Sequence, residues 1–151
     1  MSHINKLIDF TVEAFIVHKN KVLLRKHDKY KMWLGVGGHI ELHEDPVEAT
    51  VREAREEVGL EIELDEKLKP SRKEDTTTDL IPPYYLHRHR VSGDHEHVSF
   101  VYFAKATTDK ITQGIDELSE ECRWFTKEEI EESKEIKSDI KFYALKALEK
   151  T

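Results

Sequence analysis

The chain has 151 residues, of which 38% are hydrophobic and 36% charged, and its formal net charge is −7. This length suits a single domain with a buried core, which we predict over residues 1–151. Because affinity for a phosphate backbone comes from clustered Lys and Arg, the acidic balance argues against a broad nucleic-acid-binding surface.

The first half of the chain predicts strands followed by one helix. Apolar alternation indicates a strand over residues 10–17, a turn at Asn20, a returning strand over residues 22–25 and, after three glycines, a short strand over residues 39–41. Asp45 then has the features of a helix N-cap, with Pro46 at the first helical position and Glu48 completing a capping box. We expect this helix to end near Val58, with Gly59 as the residue that stops it.

The predicted helix has an apolar side and an acidic side. One stripe, expected to face the core, consists of Val47, Val51, Ala54 and Val58. Glu53, Glu56 and Glu57 fall on the other side, where neighbouring like charges oppose the helix by roughly 0.2–0.5 kcal/mol per pair. Arg52 can partner Glu48 or Glu56, but one guanidinium cannot neutralise the whole cluster.

A divalent cation would supply the missing positive charge. Clustered carboxylates without a nearby sulfur ligand form a hard, all-oxygen site, which suits Mg²⁺ or Mn²⁺ better than Zn²⁺. A metal held there could contact a phosphate chain and generate hydroxide from water. The alternative is a solvated acidic helix face on an acidic protein.

The second half of the chain predicts further strands, a loop and two helices. The expected elements are a strand over residues 60–64, a loop over 69–83, a hairpin of residues 84–91 and 98–106 around 92–94, and a strand over 122–125. Thr126 and Glu129 form the capping box of a short helix. A final helix from Ile136 places Ile136, Ile140, Tyr143 and Ala147 on one face. This order predicts an α+β or α/β sandwich.

The stretch GGHIELHEDPVEATVREAREEVGL, residues 37–60, resembles the signature of the Nudix hydrolases. The matching positions are Gly38, Glu44, Arg52, Glu53, Ala54, Glu56, Glu57, Gly59 and Leu60. With so many positions in register, the resemblance is far more specific than a lone glycine-rich turn. It implies a single Nudix domain, an α/β/α sandwich with a mixed β-sheet between helices.

The resemblance also implies a reaction and roles for residues. The reaction is hydrolysis of a diphosphate linkage in a nucleoside diphosphate joined to another group, with Mg²⁺ or Mn²⁺ as cofactor. Glu53, Glu56 and Glu57 would be metal ligands, and Gly38 would contribute its carbonyl oxygen. Glu44 and Arg52 would hold the loop onto the helix.

Residues outside the helix have predicted roles as well. Members of this family commonly need a further carboxylate as general base or extra ligand, and we choose Glu120 over Glu117 and Glu121; the alternative is a solvated loop acid. The resemblance places His97 and Phe100 near the substrate groove.

Histidines and aromatics of the predicted hairpin offer two more hypotheses. The pairs His87 with His89 and His95 with His97 each point to one face of a strand, and four such imidazoles could bind zinc. The alternative is an exposed polar strand face near a binding cleft. The aromatic residues Tyr84, Tyr85, Tyr102 and Phe103 could stack a nucleotide base, although packing in the core explains at least half of them.

Two functional interpretations stay open. The first is a metal-dependent pyrophosphohydrolase whose substrate is a small nucleotide, with nucleoside triphosphates favoured because the chain lacks an added domain. The second is a catalytically inactive nucleotide-binding or regulatory module; the intact set of glutamates favours catalysis. Isomerisation of an allylic diphosphate ranks last because Cys122, the only cysteine, lies far from the glycines in sequence.

The sequence also bears on compartment and assembly. One cysteine cannot form an intrachain disulfide, so a reducing environment is the default. The N-terminal segment MSHINKLIDFTVEAF lacks the features of a secretory signal, and no apolar run reaches membrane-spanning length. We expect a cytoplasmic protein without membrane contact. Its oligomeric state stays open, a homodimer included.

Overall fold

The computed structural model describes residues 3–72, 76–114 and 121–151. Within these ranges it contains eight strands and three helices. The strands are β1 Ile8–His18, β2 Lys21–Lys26, β3 Trp33–Leu34, β4 Val36–His39, β5 Ile62–Leu64, β6 Tyr85–Ser92, β7 His95–Ala106 and β8 Glu121–Phe125. The helices are α1 Pro46–Val58, α2 Lys127–Glu132 and α3 Ser138–Lys150.

The eight strands form one mixed sheet. Its central pair, β1 and β7, runs parallel, with Asp9 opposite His97 and Phe15 opposite Phe103. The other pairings are antiparallel: β2 and β4 with β1, β3 and β8 with β2, and β5 and β6 with β7. The two long central strands therefore carry residues from both ends of the chain to the same part of the sheet.

Helices cover both faces of the sheet. Because side chains alternate along a strand, Phe15 and Val17 point into a core shared with α2 and α3. Ala14 and Ile16 point the other way and pack against Ala54 of α1. This arrangement confirms the predicted α/β/α sandwich with a mixed sheet between helices.

Helix α1 begins and ends as its local sequence predicts. The side chain of Asp45 accepts a hydrogen bond from the backbone N–H of Glu48 at 2.9 Å, and Glu48 accepts one from the backbone N–H of Asp45 at 3.1 Å. Pro46 occupies the first turn. Gly59 closes the helix in the left-handed region, at φ 66°, which glycine adopts without steric cost.

The alternative of a solvated acidic face on α1 is wrong for two of its three glutamates, whereas Ala54 and Val58 of the predicted apolar stripe are fully buried. Glu53 and Glu57 are buried, at 1% and 3% exposure, and of the three glutamates only Glu56 is exposed. Val47 and Val51 are only partly buried. The reason lies in β4, whose glycines leave room for carboxylates between the strand and the helix.

Two other boundaries differ from the predictions. Gly37 and Gly38 lie inside strand β4, paired with β1, and this strand ends at His39 where the sequence predicted one over residues 39–41. Helix α3 begins at Ser138, so Ile136 precedes the helix but still packs in the core at 4% exposure. Both differences arise because pairing and burial depend on tertiary contacts, which local patterns do not show.

In the described parts of the chain, no helix is both long enough and apolar enough to cross a membrane.

Candidate active site

Strand β4 approaches its neighbours so closely that two of its residues must be glycine. A Cβ on Gly37 would overlap the backbone carbonyl of Val12 on β1. A Cβ on Gly38 would overlap the carboxylate of Glu53, reaching its Cδ at 2.7 Å. The missing side chain of Gly38 therefore lets a buried carboxylate of α1 lie directly against the backbone of β4.

Arg52 links this carboxylate to the rest of the site. Its Nη1 donates to Glu53 and to Glu56, both at 3.0 Å. Its Nε and Nη2 donate to Glu44 at 3.0 and 2.7 Å, and Nη2 also donates to the carbonyl of His39 at 3.0 Å. One guanidinium thus joins the loop before α1, the end of β4 and two helix carboxylates, which is the arrangement that a loop-holding role for Glu44 and Arg52 requires.

The ion pair between Glu44 and Arg52 also fixes their charges. Hydrogen bonds from Arg52 lower the pKa of the Glu44 carboxyl, with a further contribution from the backbone N–H of Glu41. Bonding to Glu44 raises the pKa of Arg52, and the nearby carboxylates of Glu53 and Glu56 add to the rise. Both shifts favour the charged forms of the pair.

Glu57 is held by a different arginine. Its Oε2 forms an ion pair with Nη1 of Arg25 on β2, and its Oε1 accepts the backbone N–H of Gly37 at 2.8 Å. Arg25 is 7% exposed, so both members of the pair are buried. The sequence interpretation missed Arg25; the available signal was a charged residue ending the apolar strand VLLR.

The donors at this site fit a hard divalent cation. Carboxylate oxygens of Glu53, Glu56 and Glu57, with the carbonyl of Gly38, make an all-oxygen set of the kind that Mg²⁺ prefers. Gly38 provides the close approach that such a set needs, because its absent Cβ is the space that Glu53 fills. Glu53 and Glu56 both accept a hydrogen bond from Nη1 of Arg52, and Glu57 forms an ion pair with Arg25. Among the described residues, these three glutamates do not form a group whose ligand atoms all lie within 4.8 Å of one another.

A histidine-rich cluster lies where the central strands β1 and β7 begin. Three imidazole nitrogens surround Oδ2 of Asp9: Nε2 of His39 at 3.0 Å, Nε2 of His95 at 3.3 Å and Nδ1 of His3 at 3.4 Å. The ring of His97 packs edge-on against those of His39 and His95. His39 follows Gly38 directly, and the carbonyl of His39 accepts a hydrogen bond from Arg52. The cluster is therefore next to the site formed by the glutamates of α1, called the glutamate site below.

The surroundings set the charges of the cluster. Burial raises the pKa of Asp9, but hydrogen bonds from the backbone N–H groups of Asn5 and Ile4 outweigh it, so the carboxyl pKa is lowered. Burial lowers the pKa of His97 to about 4, with further lowering from neighbouring imidazoles. A charged carboxylate therefore lies beside a neutral imidazole at physiological pH.

The predicted four-histidine group has a different membership in the structure. His89 lies opposite His97 in the β6–β7 pairing, with ring centroids 5.7 Å apart, and its neighbour is His87. Donors close enough to share one ion belong instead to His3, Asp9, His95 and His97. The parallel pairing of β1 with β7 brings Asp9 beside His97, and hairpin patterns do not reveal that contact.

The two residues predicted to contact substrate lie on different sides of the sheet. His97 faces the histidine cluster, whereas Phe100, three positions later on β7, points to the opposite face and packs near Phe10. The two side chains therefore do not share one face, and Phe100 lies on the face that packs against α1. A substrate contact for either residue stays a prediction.

The structure tests the predicted role of the aromatic residues but not that of the general base. Tyr102 and Phe103 are buried, at 2% and 1% exposure, and Tyr84 stacks on Phe103 with centroids 4.7 Å apart. These side chains pack in the core, as the blander interpretation expected. Glu120, with Glu117, lies outside the described residues, so its role as general base stays a prediction.

Glu13 of β1 carries a half-buried carboxyl close to Gly35, just before β4. Its Oε2 accepts the backbone N–H of Gly35 at 3.0 Å. Burial raises its pKa from an ordinary value of 4.5 to about 7, the carboxylate of Asp139 adds to the rise, and the bond from Gly35 opposes it. The folded protein therefore binds a proton here at a pH where the unfolded chain has released it.

We expect Glu13 to make the protein less stable as the pH rises from about 4.5 to about 7. In this window the folded state binds more protons than the unfolded state, so the free energy of unfolding falls with pH. Glu13→Gln keeps an oxygen acceptor for Gly35 and removes this dependence. At pH 8 the variant should be more stable than the native protein by about 1–3 kcal/mol, and near pH 4.5 the two should be alike in urea titrations. Equal pH slopes for both proteins would contradict the assignment.

The chain is similar to known proteins in sequence and in structure. The NUDIX domain model matches residues 10–146, and the chain belongs to the Nudix hydrolase family. A crystal structure of a NUDIX-family hydrolase from Clostridium perfringens is similar, with TM-score 0.82 and 37% identity, covering 93% of this chain and 96% of that one. Among curated proteins, none matches.

More distant structures share the fold alone. A MutT NUDIX hydrolase from Burkholderia pseudomallei has TM-score 0.65 and 20% identity, covering 97% of this chain and 99% of that one. A UDP-X diphosphatase has TM-score 0.64 and 15% identity, covering 99% of this chain and 66% of that one. The family and its hydrolase class are therefore established, while these likenesses leave the substrate open.

Proposed function

We propose that the protein hydrolyses a diphosphate bond in a nucleoside diphosphate linked to another group, using Mg²⁺ or Mn²⁺. The observation that carries this proposal is the buried carboxylate of Glu53 against Gly38, joined through Arg52 to Glu56 and Glu44. A solvated acidic helix face would not bury a carboxylate at 1% exposure beneath a glycine strand.

Each residue of the site has a distinct proposed task. Glu53, Glu56, Glu57 and the carbonyl of Gly38 would hold the metal, which when bound supplies charge neutralisation for phosphate oxygens and a more acidic water. Arg52 orients Glu53 and Glu56 and fixes the loop through Glu44. Arg25 orients Glu57. Glu120 is proposed as the group that accepts a proton from the attacking water.

A small nucleotide is the proposed substrate, with nucleoside triphosphates favoured. The similar UDP-X diphosphatase is named for a nucleoside diphosphate joined to a variable group, which matches the general reaction class proposed here. We propose the cytoplasm as the compartment of this protein because Cys122 cannot form an intrachain disulfide.

The test is release of phosphate or pyrophosphate from a panel of nucleotides. We expect release with Mg²⁺ and none after chelation with EDTA. Glu56→Gln should lower the rate by about tenfold or more, since even outer-shell partners of metals are worth 10–100-fold. Glu56 is exposed and bonds to Arg52, so this change should leave the melting temperature nearly unchanged.

A matched control and a binding measurement make the outcome decisive. Glu61→Gln alters an exposed glutamate just beyond α1, paired with Arg55, and should keep full activity. If the native protein binds nucleotides in calorimetry but turns over none of them, a non-catalytic binding module is the correct function. Equal rates for the native protein and Glu56→Gln would remove the glutamate site from the mechanism.

A further inference from the structure

The segment before β1 is fastened to the sheet by the histidine cluster. Backbone N–H groups of Ile4 and Asn5 donate to the carboxylate of Asp9 at 3.0 and 2.6 Å. The carbonyl of Leu7 accepts the backbone N–H of Glu96 at 2.8 Å. These bonds place His3 over the ends of β1 and β7, where its ring lies 3.6 Å from that of His95 between centroids.

Four side chains of this cluster present donor atoms to one point. One nitrogen each from His3, His95 and His97 and one oxygen from Asp9 all lie within 4.8 Å of one another. A tetrahedral zinc ion with ligand bonds of about 2.0–2.1 Å holds its ligand atoms roughly 3.3 Å apart. The distances from Asp9 Oδ2 to His95 Nε2 and His3 Nδ1 are 3.3 and 3.4 Å, so two edges of such a tetrahedron are already formed.

The tautomer of His95 indicates that a positive charge lies between this imidazole and the carboxylate of Asp9. Its Nδ1 is 2.9 Å from the carbonyl of Lys6, and a carbonyl only accepts, so Nδ1 must carry a proton. In a neutral ring Nε2 then has a bare lone pair, which faces a carboxylate oxygen of Asp9 at 3.3 Å. Two lone pairs repel at this distance unless a positive charge lies between them.

Two of the four ligand residues are buried. His95 is 6% exposed and Asp9 1% exposed. The Nε2 atoms of His95 and His97 are buried and make no hydrogen bond. Leaving such nitrogens unsatisfied costs free energy. A second proton on His95 would satisfy one of them, whereas a metal ion satisfies both and also uses His3.

We propose that His3, Asp9, His95 and His97 bind one Zn²⁺ ion that fastens the N-terminal segment to the sheet. Three imidazoles and one carboxylate suit zinc, and this set differs from the all-oxygen glutamate site that suits Mg²⁺. The bond from His95 Nδ1 to Lys6 is the type of outer-shell contact that orients a ligating imidazole. Four protein ligands close the coordination sphere, so the ion is structural.

The proposed ion also lies close to β4, the strand that carries Gly38. His39 lies 3.0 Å from Asp9 through Nε2, and it follows Gly38 in β4. Fixing Asp9 therefore fixes the end of the strand that meets Glu53 and Arg52. The zinc site stands independently of the proposed hydrolysis, because none of its ligands is a glutamate of α1.

The test is calorimetric titration of metal-free protein with Zn²⁺. Any purification tag is removed, and millimolar Mg²⁺ is present to occupy oxygen-only sites. We expect one zinc per chain, a higher melting temperature, and intense visible absorption typical of tetrahedral coordination when Co²⁺ replaces Zn²⁺. His3→Ala changes an exposed side chain and should weaken binding by about tenfold or more, given that outer-shell partners alone are worth 10–100-fold. His97→Ala should do the same.

Two controls separate this site from the glutamates and from surface histidines. His43→Ala removes an exposed histidine outside the cluster, and Glu56→Gln alters the other metal site; both should bind zinc like the native protein. Absence of stoichiometric zinc binding in the native protein would overturn the proposal. So would unchanged affinity in His3→Ala and His97→Ala, or loss of binding in Glu56→Gln alone.

Discussion

Gly38→Ala is expected to lower kcat/KM by about a hundredfold, since a displacement of about 1 Å at a catalytic group can cost that much. A Cβ at this position would meet Oε2 of Glu53 at 3.0 Å and its Cδ at 2.7 Å. The backbone of Gly38 needs no left-handed conformation, so alanine is not strained there. The added methyl group instead pushes aside a carboxylate that is only 1% exposed and has little room to move.

The measurement is steady-state turnover together with thermal unfolding. Gly93→Ala is the matched control, because Gly93 has φ 52° but nothing within 4 Å of an added Cβ. That variant should lose about 1 kcal/mol of stability, the usual cost of a left-handed alanine, and keep its activity. If Gly38→Ala folds and retains native turnover, the contact between Gly38 and Glu53 has no catalytic importance.

The features that the sequence predicted well are local ones. Helix α1 was predicted at both ends because Asp45, Glu48 and Gly59 act within a few residues of themselves. The capping box of Thr126 and Glu129 was confirmed for the same reason. The sandwich followed from the order of strands and helices, and the resemblance over residues 37–60 identified the family.

The features that it missed depend on distant parts of the chain. Burial of Glu53 requires β4 to lie over α1, and helical periodicity showed only that this side chain lies opposite the apolar stripe. Arg25 meets Glu57 across 32 positions. His3 and Asp9 meet His95 and His97 because β1 and β7 are parallel neighbours, and a hairpin pattern shows only the β6–β7 contact. Contact between elements that are distant in sequence or packed on different faces is therefore the missing information in each case.

The two buried carboxylates of α1 share a physical feature, which is a charge held inside the fold by an arginine partner. A buried carboxylate without a compensating cation is costly. Glu57 has Arg25, and Glu53 has Arg52. The helix can therefore keep Glu53 and Glu57 buried and oriented without a metal, and a cation bound there would compete with these arginines.

Arg25→Met is expected to destabilise the folded protein by about 3–5 kcal/mol, the cost of breaking a buried ion pair by removing one partner. Arg25 and Glu57 are 7% and 3% exposed, so water cannot replace the lost guanidinium. Methionine fills much of the same volume, which confines the effect to the charge. Urea unfolding in metal-free buffer, followed by circular dichroism, measures the change in the free energy of unfolding.

The double variant Arg25→Met, Glu57→Gln decides whether the uncompensated charge is the cause. Glutamine keeps an oxygen that accepts the backbone N–H of Gly37 but carries no charge. Most of the lost stability should therefore return, although the variant should stay impaired in turnover. If the double variant is as unstable as Arg25→Met alone, packing of the arginine side chain, rather than neutralisation of Glu57, is what stabilises this part of the fold.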